Sequence, residues 1–138
     1  MENKQIKVIV KRPNSKAKEM TIVDKLKTYQ ELVEGYIEVI PFPKDEKIHF
    51  VANEEAKIYG FAPNLCLPHY RDVLCGTIVA VSVDEDGDFQ SLTDRQIKKV
   101  NHYIDTFNMD KLLFKDKQEI QEIMLKKLRE YDQEDDLC

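Results

Sequence analysis

The chain has 138 residues, 34% of them charged and 42% hydrophobic, with a formal net charge of −5 and an isoelectric point near 5.3. That length supports a single domain whose core needs no disulfide or metal staple. The acid surplus argues against nucleic acid as a partner, which needs a basic face, but leaves small anions open to a local basic pocket.

Residues 6–10 (Ile-Lys-Val-Ile-Val) form a short β-branched run and predict a strand, with residues 19–23 as its antiparallel partner across a turn at Pro13, Asn14 and Ser15. Asp24 is placed to cap a helix over residues 25–34, in which Leu26, Tyr29, Leu32 and Val33 share one face, and Gly35 is placed to end it. Residues 36–40 read as a strand closed by Pro41 and Pro43. Residues 47–51 and 57–59 read as a hairpin with 53–56 at its tip. The stretch 60–71 holds the breakers Pro63, Asn64, Pro68 and His69 and reads as irregular. Residues 73–83 are almost continuously apolar and predict one long central strand, followed by an acidic turn at 84–88.

From Thr93 the period becomes helical. Thr93 and Gln96 have the spacing of a capping box, and Ile97, Val100, Tyr103, Ile104 and Phe107 mark a buried face. A second helix is predicted over 115–131, with Ile120, Ile123, Met124, Leu128 and Tyr131 as a narrow stripe, and then an acidic tail at 132–136. The fold class is α+β: a mostly antiparallel sheet of five or six short strands, one inserted helix and two C-terminal helices. Residues 1–108 form the α+β core and 109–138 a helical extension. The thin stripe of that extension suits packing on its own domain, or pairing with a second copy to make a homo-oligomer.

No run is apolar and long enough to cross a membrane or to form the core of a signal peptide, so no membrane partner is expected. Three cysteines do not make a disulfide framework, and the cytoplasm is the expected compartment. The chemistry motifs fail in turn. Counting a calcium loop from Asp84 puts Phe89 and Arg95 where Gly and Glu are needed. Cys66 and His69 lack the second ligand pair of a zinc site, and Cys75 sits in an apolar strand. No nucleophile elbow surrounds Ser82 or Ser91, and the four glycines are too scattered for a phosphate loop. No metal, cofactor or catalytic residue is therefore expected.

One segment, residues 35–77, carries polar groups that a plain sheet does not require. Glu38 interrupts an apolar strand; Asn53, Glu54 and Asn64 sit at turns among the aromatics Tyr36, Phe50, Tyr59 and Phe61; Arg71 follows. Aromatic faces stack on planar rings, carboxylates and amides hydrogen-bond sugar and base, and arginine pairs with phosphate. Turn residues and core aromatics are the plainer explanation for any one of them.

The same residues carry a resemblance. The ordered motifs at 32–39, 53–57, 63–64, 76–77 and 89–93 resemble the domain-of-unknown-function family numbered 3846, over about residues 5–100. The family tends to have glycine where this chain has Glu34 and Ala56. The resemblance supplies no activity of its own; it implies a small accessory protein of phages and mobile elements, and such proteins often blunt host defence. The expected function is one way of doing so, sequestering a nucleotide-derived immune signal. On that reading Glu38, Asn53, Glu54 and Asn64 recognise ribose and base, Tyr36 or Phe61 stacks, and Lys57 or Arg71 meets phosphate. The alternatives are an acidic inhibitor that docks on a defence or DNA-acting protein through residues 84–88 and 132–136, and an enzyme with Glu38 or Glu54 as general base.

Overall fold

Alternating β-branched residues build strand β1 (Gln5–Lys11), which pairs antiparallel with β2 (Lys18–Val23). The computed structural model describes residues 4–112 and 115–137. After β2 come helix α1 (Leu26–Val33), β3 (Ile37–Phe42), β4 (Asp45–Asn53), β5 (Pro63–Leu67), a 3-10 turn (Pro68–Tyr70), β6 (Asp72–Cys75), β7 (Ile78–Val83), β8 (Phe89–Gln90), and helices α2 (Asp94–Phe107) and α3 (Lys117–Leu137). The main sheet runs β2-β1-β7-β4-β3 with β8 added to β7, and its pairings are antiparallel. Strands β5 and β6 form a separate two-stranded sheet. The α+β class and the three helices thus stand as expected from the sequence.

Strand alternation divides the core in two. Val8 and Val10 of β1, Val51 of β4, and Val79 and Val81 of β7 face α1, where Tyr29 and Val33 close the layer. Ile9, Phe50, Ala52, Ile78 and Ala80 point the other way, onto α2, α3 and the small sheet. Both faces of β7 are therefore covered, which is why its sequence is apolar on both faces except at Ser82. Helix α2 begins at the capping box of Thr93 and Gln96, and its five predicted core residues are all buried. Helix α3 contributes Met124 and Tyr131 to the same buried cluster as Ile9 and Phe50.

The local details depart from expectation in several places. Asp24 does not cap α1: Lys25 holds the cap position without a side-chain bond, and the Asp24 carboxylate accepts from the Tyr29 hydroxyl at 2.7 Å. Leu26, expected on the buried face, is 57% exposed. Glu34, not Gly35, takes the left-handed C-terminal position, with φ 64°. Gly35 is needed for room instead, since a Cβ there would lie 2.7 Å from Nδ2 of Asn53. Ala56 has no positive φ, so a glycine is not required there.

Strand β3 runs through Pro41 to Phe42. It lies at the sheet edge, where a missing N–H donor is tolerated, and the register shifts just after Pro41. The partner of β4 in the hairpin is β3, joined through Pro43 and Lys44, and residues 54–60 are turns and not a returning strand. The stretch expected to be irregular contains β5. The single strand expected over 73–83 is split at Gly76, whose φ of 76° turns the chain from the small sheet into the main one. The acidic tail belongs to α3 through Leu137, while Leu113, Phe114 and Cys138 lie outside the described residues.

Candidate functional site

Two buried asparagines frame the region. Asn53 is 3% exposed and donates through Nδ2 to the carbonyls of Val33 (3.0 Å) and Glu34 (3.2 Å), while its Oδ1 accepts from the Glu55 N–H at 2.7 Å. It ties the end of α1 to the end of β4. Asn64 is 0% exposed; its Nδ2 donates to the carbonyls of Lys11 and Gly76, both at 2.8 Å, and its Oδ1 accepts from Lys11 Nζ at 2.8 Å. Both donor hydrogens of each amide are committed to the backbone, so neither amide has a donor left for a ligand. Their contribution is to hold the walls.

Lys11 explains why Asn64 is where it is. A buried ammonium needs full compensation. Lys11, 1% exposed, donates to Asn64 Oδ1, to the Arg12 carbonyl at 2.8 Å and to Asp110 Oδ1 at 3.0 Å. This network joins β1, β5 and the segment after α2, and Met109 follows suit by donating its N–H to the Asn64 carbonyl.

Between the turn after β4 and strand β6 lies a notch of about 160 Å³, lined by Glu38, Asn53, Glu54, Glu55, Lys57, Asp72 and Cys75 among others. Four carboxylates share it with one ammonium, and Lys57 donates to Asp72. Glu38 is held above the usual carboxylate range, first by partial burial and then by the charges of Asp72 and Glu54, with Lys57 opposing. Lys57 is raised chiefly by its hydrogen bond to Asp72. Burial pushes the Cys66 thiol up to about 11, and burial also raises Cys75, so both thiols stay protonated at neutral pH.

A larger groove of about 980 Å³ opens on the other side of Lys57 and Asp72, between β6 and α3. Its polar lining includes Lys57, Arg71, Asp72, Lys115 and Lys117, and its apolar lining includes Val73, Met109, Ile120, Met124 and Leu125. Lys57, Asp72 and Val73 border both recesses. Among the described residues no carboxylate pairs with Arg71, Lys115 or Lys117, whereas Lys11, Lys44, Lys57 and Lys99 are all in ion pairs.

Of the eight residues singled out from sequence, Glu38, Asn53, Glu54 and Lys57 come together in the notch, and Lys57 and Arg71 line the groove. Tyr36, Phe61 and Asn64 line neither recess. Tyr36 is 67% exposed, and its carbonyl accepts from the Glu54 N–H. Phe61 lies against Gly76, where a Cβ would come within 2.9 Å of its ring. Sequence reading missed Asp72 and the α3 residues of the groove. The signal was present in Asp72 adjoining Arg71, and in two lysines at the start of the thin-striped helix.

The molecule is thus an α+β protein whose polar notch and cation-rimmed groove meet at Lys57 and at Asp72 and Val73 of β6. It belongs to the family described as Domain of unknown function (DUF3846), whose model matches residues 6–108. No curated protein and no solved structure matches the chain. Among the described residues, no helix is long and apolar enough to cross a membrane.

Proposed function

We propose that this protein binds a small nucleotide-like molecule and withdraws it from use without transforming it. The reading is carried by one observation: the carboxylate-lined notch and the cation-rimmed groove share the wall of Lys57, Asp72 and Val73. A nucleotide presents hydroxyl and amino donors at one end and phosphate at the other, and adjoining recesses of opposite charge suit that polarity. Glu38 and Glu54 accept from the donor end, and Arg71 meets the phosphate. Neither thiol near the recesses is set up as a nucleophile, in keeping with a role in holding the ligand. In its biological form the protein serves a phage or mobile element by sequestering a nucleotide immune signal of the host.

Calorimetry and thermal melting against cyclic dinucleotides and cyclic ADP-ribose isomers test this. A ligand at one hundred times its Kd stabilises the fold by ~2.7 kcal/mol, a readily measured rise in Tm. Chromatography of the ligand released by heat should then recover it intact. Absence of heat and of any Tm rise across the panel removes the reading, and an altered product replaces sequestration by turnover.

A further inference from the structure

We propose that the groove beneath α3 is an anion subsite that takes the phosphate-bearing part of a phosphate ester, with Arg71, Lys115 and Lys117 as its partners. It rests on the nucleotide-like reading above for the identity of the ester, and places two of its three cations, Lys115 just before α3 and Lys117 at its start, beyond the family-matched residues 6–108. Ligand choice is then set by a segment that the family domain does not itself contain.

The charge pattern is the main argument. The chain carries a net charge of −5, yet the groove is bordered by four cations, Lys57, Arg71, Lys115 and Lys117, against one carboxylate, Asp72. That local excess concentrates positive potential there. The groove's own carboxylate, Asp72, is already held by Lys57.

The shape narrows the ligand. A volume of about 980 Å³ is at the upper end of small-molecule sites, far more than an inorganic anion fills. Met109, Met124, Ile120 and Leu125 provide an apolar wall, and methionine adapts to flat or irregular bodies. An anion attached to an apolar or aromatic body satisfies both halves. The backbone end of α3 is not the attraction: Asp116 already caps it, its Oδ1 accepting from the Glu119 N–H at 2.8 Å and its carbonyl from the Ile120 N–H. The anion is met by side chains.

Nuclear magnetic resonance titration of the full-length, isotope-labelled chain tests the subsite, with sodium pyrophosphate and cyclic di-AMP as separate probes. Pyrophosphate should shift the amides of Arg71, Met109 and residues 115–121, and its affinity should fall as salt rises. The double variant Lys115→Gln, Lys117→Gln should lose affinity for pyrophosphate by about tenfold, with melting behaviour unchanged, while Lys126→Gln, an exposed lysine of α3 outside the groove, should bind as the wild type does. Pyrophosphate shifts scattered elsewhere, or undiminished affinity in the double variant, would overturn the subsite. If cyclic di-AMP binds and the lysine pair is irrelevant to it, the nucleotide reading stands and the subsite falls. If pyrophosphate binds in the groove and no cyclic nucleotide binds, the subsite stands and the nucleotide reading falls.

Discussion

Asn53 and Asn64 show how a side chain can look functional in sequence and be structural in space. Each is a polar residue in an apolar neighbourhood, without a reason visible among its immediate neighbours in the chain. The reason for Asn64 is Lys11, a buried ammonium on a different strand, and for Asn53 it is the carbonyl end of α1. Such long-range needs leave no periodic trace, so a local reading of the sequence assigns the amides to a ligand. Glu38 differs, because it keeps an open wall and carries a cost. Its raised proton affinity, from partial burial first and the Asp72 and Glu54 charges second, means that folding favours its neutral form. The stability it contributes is present below the ordinary carboxylate range and is lost as pH rises through its raised value. Glu38→Gln is therefore expected to melt higher than wild type at neutral pH, with the two Tm curves converging as the pH falls below the ordinary carboxylate range. Thermal melts across pH check this, and a variant that melts lower at neutral pH would mean that Glu38 is stabilised by a partner and not strained by its neighbours.

At the scale of elements, periodicity marked strand and helix types well and missed where the chain changes sheets. The run from Val73 to Val83 is almost continuously apolar because β6 and β7 are each packed, yet the two strands belong to different sheets. Gly76 is the hinge. Its N–H donates to the Ala62 carbonyl and its own carbonyl accepts from Asn64, while its φ of 76° and the Phe61 ring, 2.9 Å from where a Cβ would sit, both exclude a side chain. A left-handed backbone costs an ordinary residue about 1–2 kcal/mol, and the ring must also move. Gly76→Ala should thus destabilise the fold by roughly 2 kcal/mol or more in urea denaturation, with an unchanged slope. A loss below about 0.5 kcal/mol would show that the junction relaxes freely. The same blindness to partners produced the misassigned hairpin: residues 57–59 have strand-like composition, but β4 already has β3 and β7 on its two sides and offers no third edge. The α2 helix was legible to the residue because its cap and its buried stripe are both local signals.

For the whole molecule, the open question in the sequence was what the thin stripe of α3 meets. Its lining of the groove makes the answer matter for binding as well as for stability. Tyr131 is 7% exposed and sits edge-on to Tyr103 and Phe107, with ring centroids 5.5 and 5.3 Å away, and stacks on His102 at 5.4 Å. Four more ties run along the helix, from Lys44 and His69 to Asp132, from His102 to Glu134, and from Lys127 to the Thr106 carbonyl. The Lys44–Asp132 ion pair at the surface contributes little, so the aromatic contact is the main anchor. If α3 shares the core energetically as it does geometrically, the chain unfolds as one unit, and far-ultraviolet dichroism and tyrosine fluorescence give coincident transitions. Tyr131→Ala should then lower the stability of the entire chain by about 3 kcal/mol, the range for truncating a buried aromatic. Hydrogen exchange separates the alternatives. Protection in β7 should fall together with protection in α3; loss confined to α3 would make the helix an independent appendage, and the groove a site that opens without unfolding the sheet.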